Sequence, residues 1–119
     1  MNPPLGVIVK NSTQRNFLVE LLQPVWPGRL IDLAGFDELK SLSSSQRFGL
    51  LYLELTPDNP DLIDWLFEQR DPVIGIINRN WKLPQLEPYI DTGLEDYLIK
   101  PFQPEKISKQ LRRFVSIYL

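Results

Sequence analysis

The chain contains no cysteine and no histidine. Those two absences exclude disulfides, thiol nucleophiles, zinc sites and histidine bases together. Neither sign of charge dominates. The formal net charge is −2 over 119 residues, so bulk electrostatics do not favour nucleic acid. No apolar run is long enough to cross a membrane. The first residues, Met1-Asn2-Pro3-Pro4, lack the basic start and long apolar stretch of a signal peptide. No internal repeat and no domain boundary interrupts residues 1–119. A chain of this length buries about two thirds of its unfolded surface, enough for a core of its own. The expectation is one soluble cytoplasmic domain, part of a longer protein, with neither nucleic acid nor membrane as partner.

What is present is an alternation of apolar runs and amphipathic stretches. Leu5 to Val9 reads as a buried strand, and Ser12 or Thr13 can cap the helix after it. Phe17, Leu18, Leu21 and Leu22 share one face of that helix, which Pro24 and Pro27 end. Leu30 to Ala34 is a weaker second strand, and Asp37 can cap a short helix with Leu39 and Leu42. Phe48 to Leu55 is the strongest strand, apolar at consecutive positions as in a sheet covered on both faces. Thr56 to Pro60 is turn chemistry, and Leu62, Ile63, Leu66 and Phe67 form the next helical face. Val73 to Ile77 and Tyr97 to Ile99 are the fourth and fifth strands. Pro104-Glu105 opens a last helix with Ile107, Leu111, Phe114 and Val115 inward. Between the last two strands, Pro84 and Pro88 predict a short, displaced or partly absent helix. Such a pattern implies right-handed crossovers and a doubly wound parallel sheet, of flavodoxin-like order 2-1-3-4-5. Ligand chemistry in such sheets lies at the carboxyl ends of the strands.

Those ends carry the functional information. Gly93 to Phe102 reads Gly-Leu-Glu-Asp-Tyr-Leu-Ile-Lys-Pro-Phe, a strand with Lys100 at its tip and Pro101 after it. The stretch resembles the last strand of response-regulator receiver domains, the CheY-like fold, and the whole chain is consistent with that family. The resemblance implies a lysine that contacts a phosphorylated aspartate, a cis Pro101, and a switch aromatic at Tyr97. It also locates the family's other parts, and most are missing. The acidic pair that binds magnesium falls on Val9 and Lys10, or one residue later on Lys10 and Asn11. The phosphoacceptor aspartate falls on Glu54, with Pro57 one residue early in a shortened loop. The hydroxyl residue after the fourth strand falls on Ile77 or Asn78.

These departures bear directly on chemistry. Magnesium in such a site is held by one or two carboxylates with waters and phosphate. A Lys10 ammonium about 4 Å from a divalent ion costs roughly 2 kcal/mol at the dielectric of water, and several-fold more at the ~20 of a protein surface. Without the metal, phosphoryl transfer loses its main charge neutraliser. The expectation is a pseudo-receiver, non-catalytic, with no metal and no catalytic residue. Its degenerate pocket is Val9, Lys10, Asn11, Glu54, Ile77, Asn78, Lys100 and Pro101. Glu54 keeps two readings, a fixed mimic of a charged acceptor paired with Lys100 and Lys10, or a solvated strand-end carboxylate. Tyr97 reads as a half-buried anchor.

The chain is similar to pseudo-receivers attached to histidine kinases, of the cyanobacterial circadian input type. That similarity implies docking on the parent histidine kinase and on a clock protein such as KaiB; a quinone cofactor is implied by resemblance only. Two docking surfaces compete: the last-helix face, and the edge of the second strand, Arg29, Leu30, Ile31, Asp32, Leu33 and Ala34. An open edge can accept another strand. Trp26 and Trp81 are read as exposed contact candidates, and Trp65 as helix packing. Lys106, Lys109, Arg112 and Arg113 are read as the wet face of the last helix. Two alternatives remain: a divergent receiver phosphorylated on Glu54 or Asp58, and a small flavodoxin-like ligand-binding domain.

Overall fold

The computed structural model describes residues 2–119. Five parallel strands, β1 (Leu5–Ile8), β2 (Leu30–Leu33), β3 (Leu50–Glu54), β4 (Val73–Asn78) and β5 (Asp96–Lys100), form one sheet in the order β2-β1-β3-β4-β5. Five helices alternate with them: α1 (Ser12–Leu22), α2 (Phe36–Ser43), α3 (Pro60–Glu68), α4 (Leu83–Ile90) and α5 (Pro104–Tyr118). This is the doubly wound, flavodoxin-like architecture expected from the alternation.

Each face of the sheet has its own core. Val7, Leu50, Tyr52, Ile74 and Leu98 pack against Leu18 and Leu22 of α1 and Ile107, Leu111 and Phe114 of α5. Ile8, Leu51, Leu53 and Ile77 pack against Leu39 of α2, Leu62 and Leu66 of α3, and Tyr89 of α4. The central strands are therefore apolar on both sides, which explains their unbroken hydrophobic runs. Burial keeps two phenols protonated above their usual range. Tyr52 is raised by desolvation and then by the Asp96 carboxylate. Tyr89 is pushed up to about 12 by desolvation and then by Asp58.

Several local expectations need correction. The cap of α1 is Asn11, whose side chain accepts from the Gln14 N–H at 2.9 Å, so Ser12 is already helical. An asparagine one residue earlier competes equally well for that position. Helix α2 is entered through Gly35, and Asp37 lies in its first turn rather than at the cap. The strand ends also move: β1 ends at Ile8 and β2 at Leu33, leaving Ala34 in a bend. The expectation for the fourth helix holds, since α4 is short, 8 residues, and carries a proline inside it. Pro84 sits in its first turn, where no N–H is needed, and only Pro88 interrupts it. Buried Tyr89 anchors this helix by donating to the Thr56 carbonyl at 2.6 Å.

Trp26 is the clearest correction. It is 4% exposed, stacks on Phe114 with ring centroids 6.4 Å apart, and donates to the Pro3 carbonyl at 3.2 Å. A Cβ on Gly49 would lie 2.6 Å from its ring, so the indole closes the amino-terminal end of the core only because residue 49 lacks a side chain. Trp65 packs edge-on against Phe36, as helix packing. Asp71, just before β4, is buried. Its carboxylate accepts from the Phe48 N–H at 2.9 Å and the Arg47 Nε at 2.8 Å, holding the entry to β3 against the entry to β4.

Candidate functional site

The carboxyl ends of β1, β3, β4 and β5 open into one cleft of about 590 Å3 lined by Lys10, Asn11, Glu54, Asn78 and Lys100. Glu54 stands at its centre, at the end of β3. Its Oε2 is ion-paired with the Lys100 Nζ, and its Oε1 accepts from the Lys10 backbone N–H at 2.9 Å. The two side chains of the pair are 21% and 13% exposed. Lys100 also donates to the Gln14 Oε1 at 2.7 Å. The carboxylate is thus bound on both oxygens, and the ammonium has two acceptors. The pair joins the ends of β3 and β5 across β4, and Gln14 ties α1 to it.

Of the residues expected at the site, the structure brings together Lys10, Asn11, Glu54, Asn78 and Lys100. It does not bring in Val9 or Ile77. Val9 is fully buried in the α1/α5 core, and Ile77 is buried against the α2/α3/α4 core. Of the two registers considered after the first strand, the cleft therefore contains Lys10 and Asn11. After the fourth strand it contains Asn78, an amide without a hydroxyl. Pro101 follows a cis peptide bond, as the resemblance implied, and lines the neighbouring hollow with Arg79. Tyr97 is half-buried and packs against the α4-side core, and burial raises its phenol.

One detail of the Glu54 reading is corrected. Lys10 meets Glu54 through its backbone, and its exposed ammonium makes no ion pair among the described residues. A strand-end N–H points along the hydrogen-bonding direction of the sheet, so side-chain charge was the wrong signal to use. Gln14, Thr56 and Trp81 were missed as lining residues. Gln14 could have been found: capping by Asn11 places it in the first turn of α1, above the strand ends. Trp81, expected to be exposed, is half-buried in the cleft wall, tilted against Tyr89 with centroids 6.0 Å apart.

The arrangement has one chemical consequence. Among the described residues, Glu54 is the only carboxylate lining the cleft, and no three Asp or Glu side chains converge in a way that could hold a metal ion. A divalent ion at Glu54 would compete with Lys100 for that carboxylate.

No family model and no curated protein matches the chain. Solved structures do. The signal receiver domain of a signal transduction histidine kinase from Syntrophus aciditrophicus superposes with TM-score 0.79 at 18% identity, over 96% of this chain and 90% of that one. A signal receiver domain of an HD domain-containing protein from Pseudomonas fluorescens Pf-5 gives TM-score 0.79 at 20% identity, over 98% and 89%. A chemotaxis response regulator of Vibrio cholerae gives 0.77 at 16% identity, over 96% and 99%. The fold is that of response-regulator receiver domains.

Removing one partner of a well-shielded pair leaves the other charge poorly solvated. Lys100→Met is expected to destabilise the domain by about 1–3 kcal/mol. In urea unfolding, a double-mutant cycle with Glu54→Gln should give a coupling of about 1 kcal/mol or more. Additive effects of the two substitutions would contradict the pairing.

Proposed function

We propose that the chain is a receiver-like signalling module whose phosphorylation pocket is held by a permanent ion pair, and that it acts by docking on proteins rather than by accepting a phosphoryl group. The observation that carries this reading is the bound state of Glu54. The group standing at the acceptor position has both oxygens occupied, by Lys100 and by the Lys10 N–H. The similarity of the fold to receiver domains, one of them from a histidine kinase, supports a place in two-component signalling. In the finer form of the proposal, the module belongs to a histidine kinase of circadian signalling. It docks there on its parent kinase and on a KaiB-like clock protein, and performs no catalysis itself.

The edge of β2 supports the docking role. The Arg29 and Leu33 carbonyls accept from Leu5 and Val9, so these alternate positions face β1. Leu30 and Asp32 then turn their backbone groups outward, toward an unoccupied edge. Its partner would add as a further strand. The alternative, phosphorylation of Glu54 or Asp58, has weaker support. Glu54 is engaged as described, and Asp58 lies in the loop after β3 outside the cleft lining.

Two measurements test the proposal. Incubation with acetyl phosphate and magnesium, followed by intact mass, should leave the mass unchanged. A stable phosphoryl adduct on Glu54 or Asp58 would overturn the assignment. In complex with the kinase portion of the parent chain, amide exchange should slow at Leu30 and Asp32. Protection elsewhere but not at these amides would remove β2 as the docking edge.

A further inference from the structure

The cleft at the strand ends has two chemically different sides. The β1 side is a set of donors. The Lys10 ammonium is exposed and makes no ion pair among the described residues. The Asn11 Oδ1 accepts from the Gln14 N–H at 2.9 Å, and the Gln14 Oε1 accepts from the Lys100 Nζ at 2.7 Å. With their oxygens engaged, these two amides offer the cleft mainly N–H groups. The β4 side is built otherwise. The Trp81 N–H donates to the Asn78 carbonyl at 3.1 Å, a turn that brings residue 81 back over the end of β4. The half-buried indole then lines the cleft together with the exposed Asn78 carboxamide, and buried Tyr89 backs it from the core. A carboxamide presents a donor and an acceptor side by side.

Strand β3 separates these two sides. The ends of β1 and β4 therefore stand two strand spacings apart, roughly 10 Å. The middle carries no net charge, because Glu54 is matched by Lys100, and the Thr56 hydroxyl lines the same cleft. The excess charge around the cleft is positive. It comes from Lys10 and from Arg79, which lines the adjoining hollow and is not ion-paired among the described residues. A complementary ligand is anionic at one end, polar in the middle, and a ring with a donor–acceptor edge at the other end. An inorganic anion meets only the first side, and a neutral ring only the second. The volume of about 590 Å3 lies within the range of small-molecule sites.

We propose that this cleft binds an adenine mononucleotide, with its phosphate at Lys10, Asn11 and Gln14 and its base on Trp81. Adenine presents an amino donor beside a ring acceptor, the pair that an asparagine carboxamide meets with two hydrogen bonds, and Asn78 is placed to do so. Bases of every kind stack on aromatic side chains, so Trp81 supplies affinity and Asn78 supplies choice. The ribose lies over Thr56 and the ion pair. An unmatched carboxylate at residue 54 would repel the phosphate, and Lys100 removes that repulsion. The inference goes beyond the docking role proposed above. Intact mass and β2 exchange test that role, and neither reads nucleotide binding.

The test is a titration of the nitrogen-15-labelled chain with adenosine monophosphate, at low salt and without divalent ions. The Lys10, Asn11 and Asn78 amide resonances and the Trp81 indole N–H should shift saturably, with a Kd below about 1 mM. Adenosine lacks the phosphate and ribose 5-phosphate lacks the base, and each should bind at least about tenfold more weakly. Lys10→Glu should weaken binding of the nucleotide at least about tenfold, because attraction becomes repulsion, and leave adenosine unaffected. Trp81→Leu should weaken it at least about fivefold. Lys10 is exposed, so its variant keeps the test decisive where loss of the indole disturbs the fold, which circular dichroism reports. Absence of saturable shifts, shifts centred outside the cleft, or nucleotide binding that survives Lys10→Glu would overturn the proposal. Adenosine or ribose 5-phosphate binding as tightly as the nucleotide would also overturn it.

Discussion

A carboxylate at the mouth of a parallel sheet needs a counter-charge, and here Lys100 supplies it. The Glu54–Lys100 pair spans three strands, from the end of β3 to the end of β5, and Gln14 draws the first turn of α1 into the same network. Burial of both groups raises the energetic cost of leaving either one alone. The cleft is consequently organised around an internal bond. Its two walls are held at a set distance by residues of the chain itself.

That bond limits what the cleft can do. A receiver pocket works by collecting negative charge and then admitting a divalent ion and a phosphoryl group. In this chain the carboxylate lining the cleft, Glu54, is already matched by Lys100, and the neighbouring strand end contributes Lys10 and Asn11. The polar groups lining the cleft are the Glu54–Lys100 pair, the amides of Asn11, Gln14 and Asn78, the Thr56 hydroxyl and the Lys10 ammonium. Another concave surface, with Lys106, Lys109 and Arg113 in its wall, lies along α5, and the open backbone edge lies on β2.

Much of this was legible from residue types. Unbroken apolar runs such as Leu50 to Leu53 announced a sheet covered on both faces, and the Lys100-Pro101 pair at a strand end located the cleft. The pairing of Glu54 with Lys100 could be posed as an alternative but not decided, because it depends on strands that are not neighbours. Trp26 was misread because its flanking prolines suggested a surface loop. Its burial is made by Gly49, distant in sequence, and by Phe114 near the other terminus. The basic residues of α5 are all exposed, as a wet face should be, but only the fold shows that Lys106, Lys109 and Arg113 border β5 and meet Arg79. Lys10 failed in another way, since its backbone and not its side chain contacts Glu54.

The central claim is that Lys100 occupies the electrostatic place a divalent ion would take. Titration with manganese, followed by paramagnetic broadening of backbone amide resonances, addresses it most directly. The account predicts no saturable broadening centred on Lys10, Glu54 and Asn78. Saturable broadening focused on those three amides would show that the cleft holds a divalent ion despite the ion pair, and would contradict it.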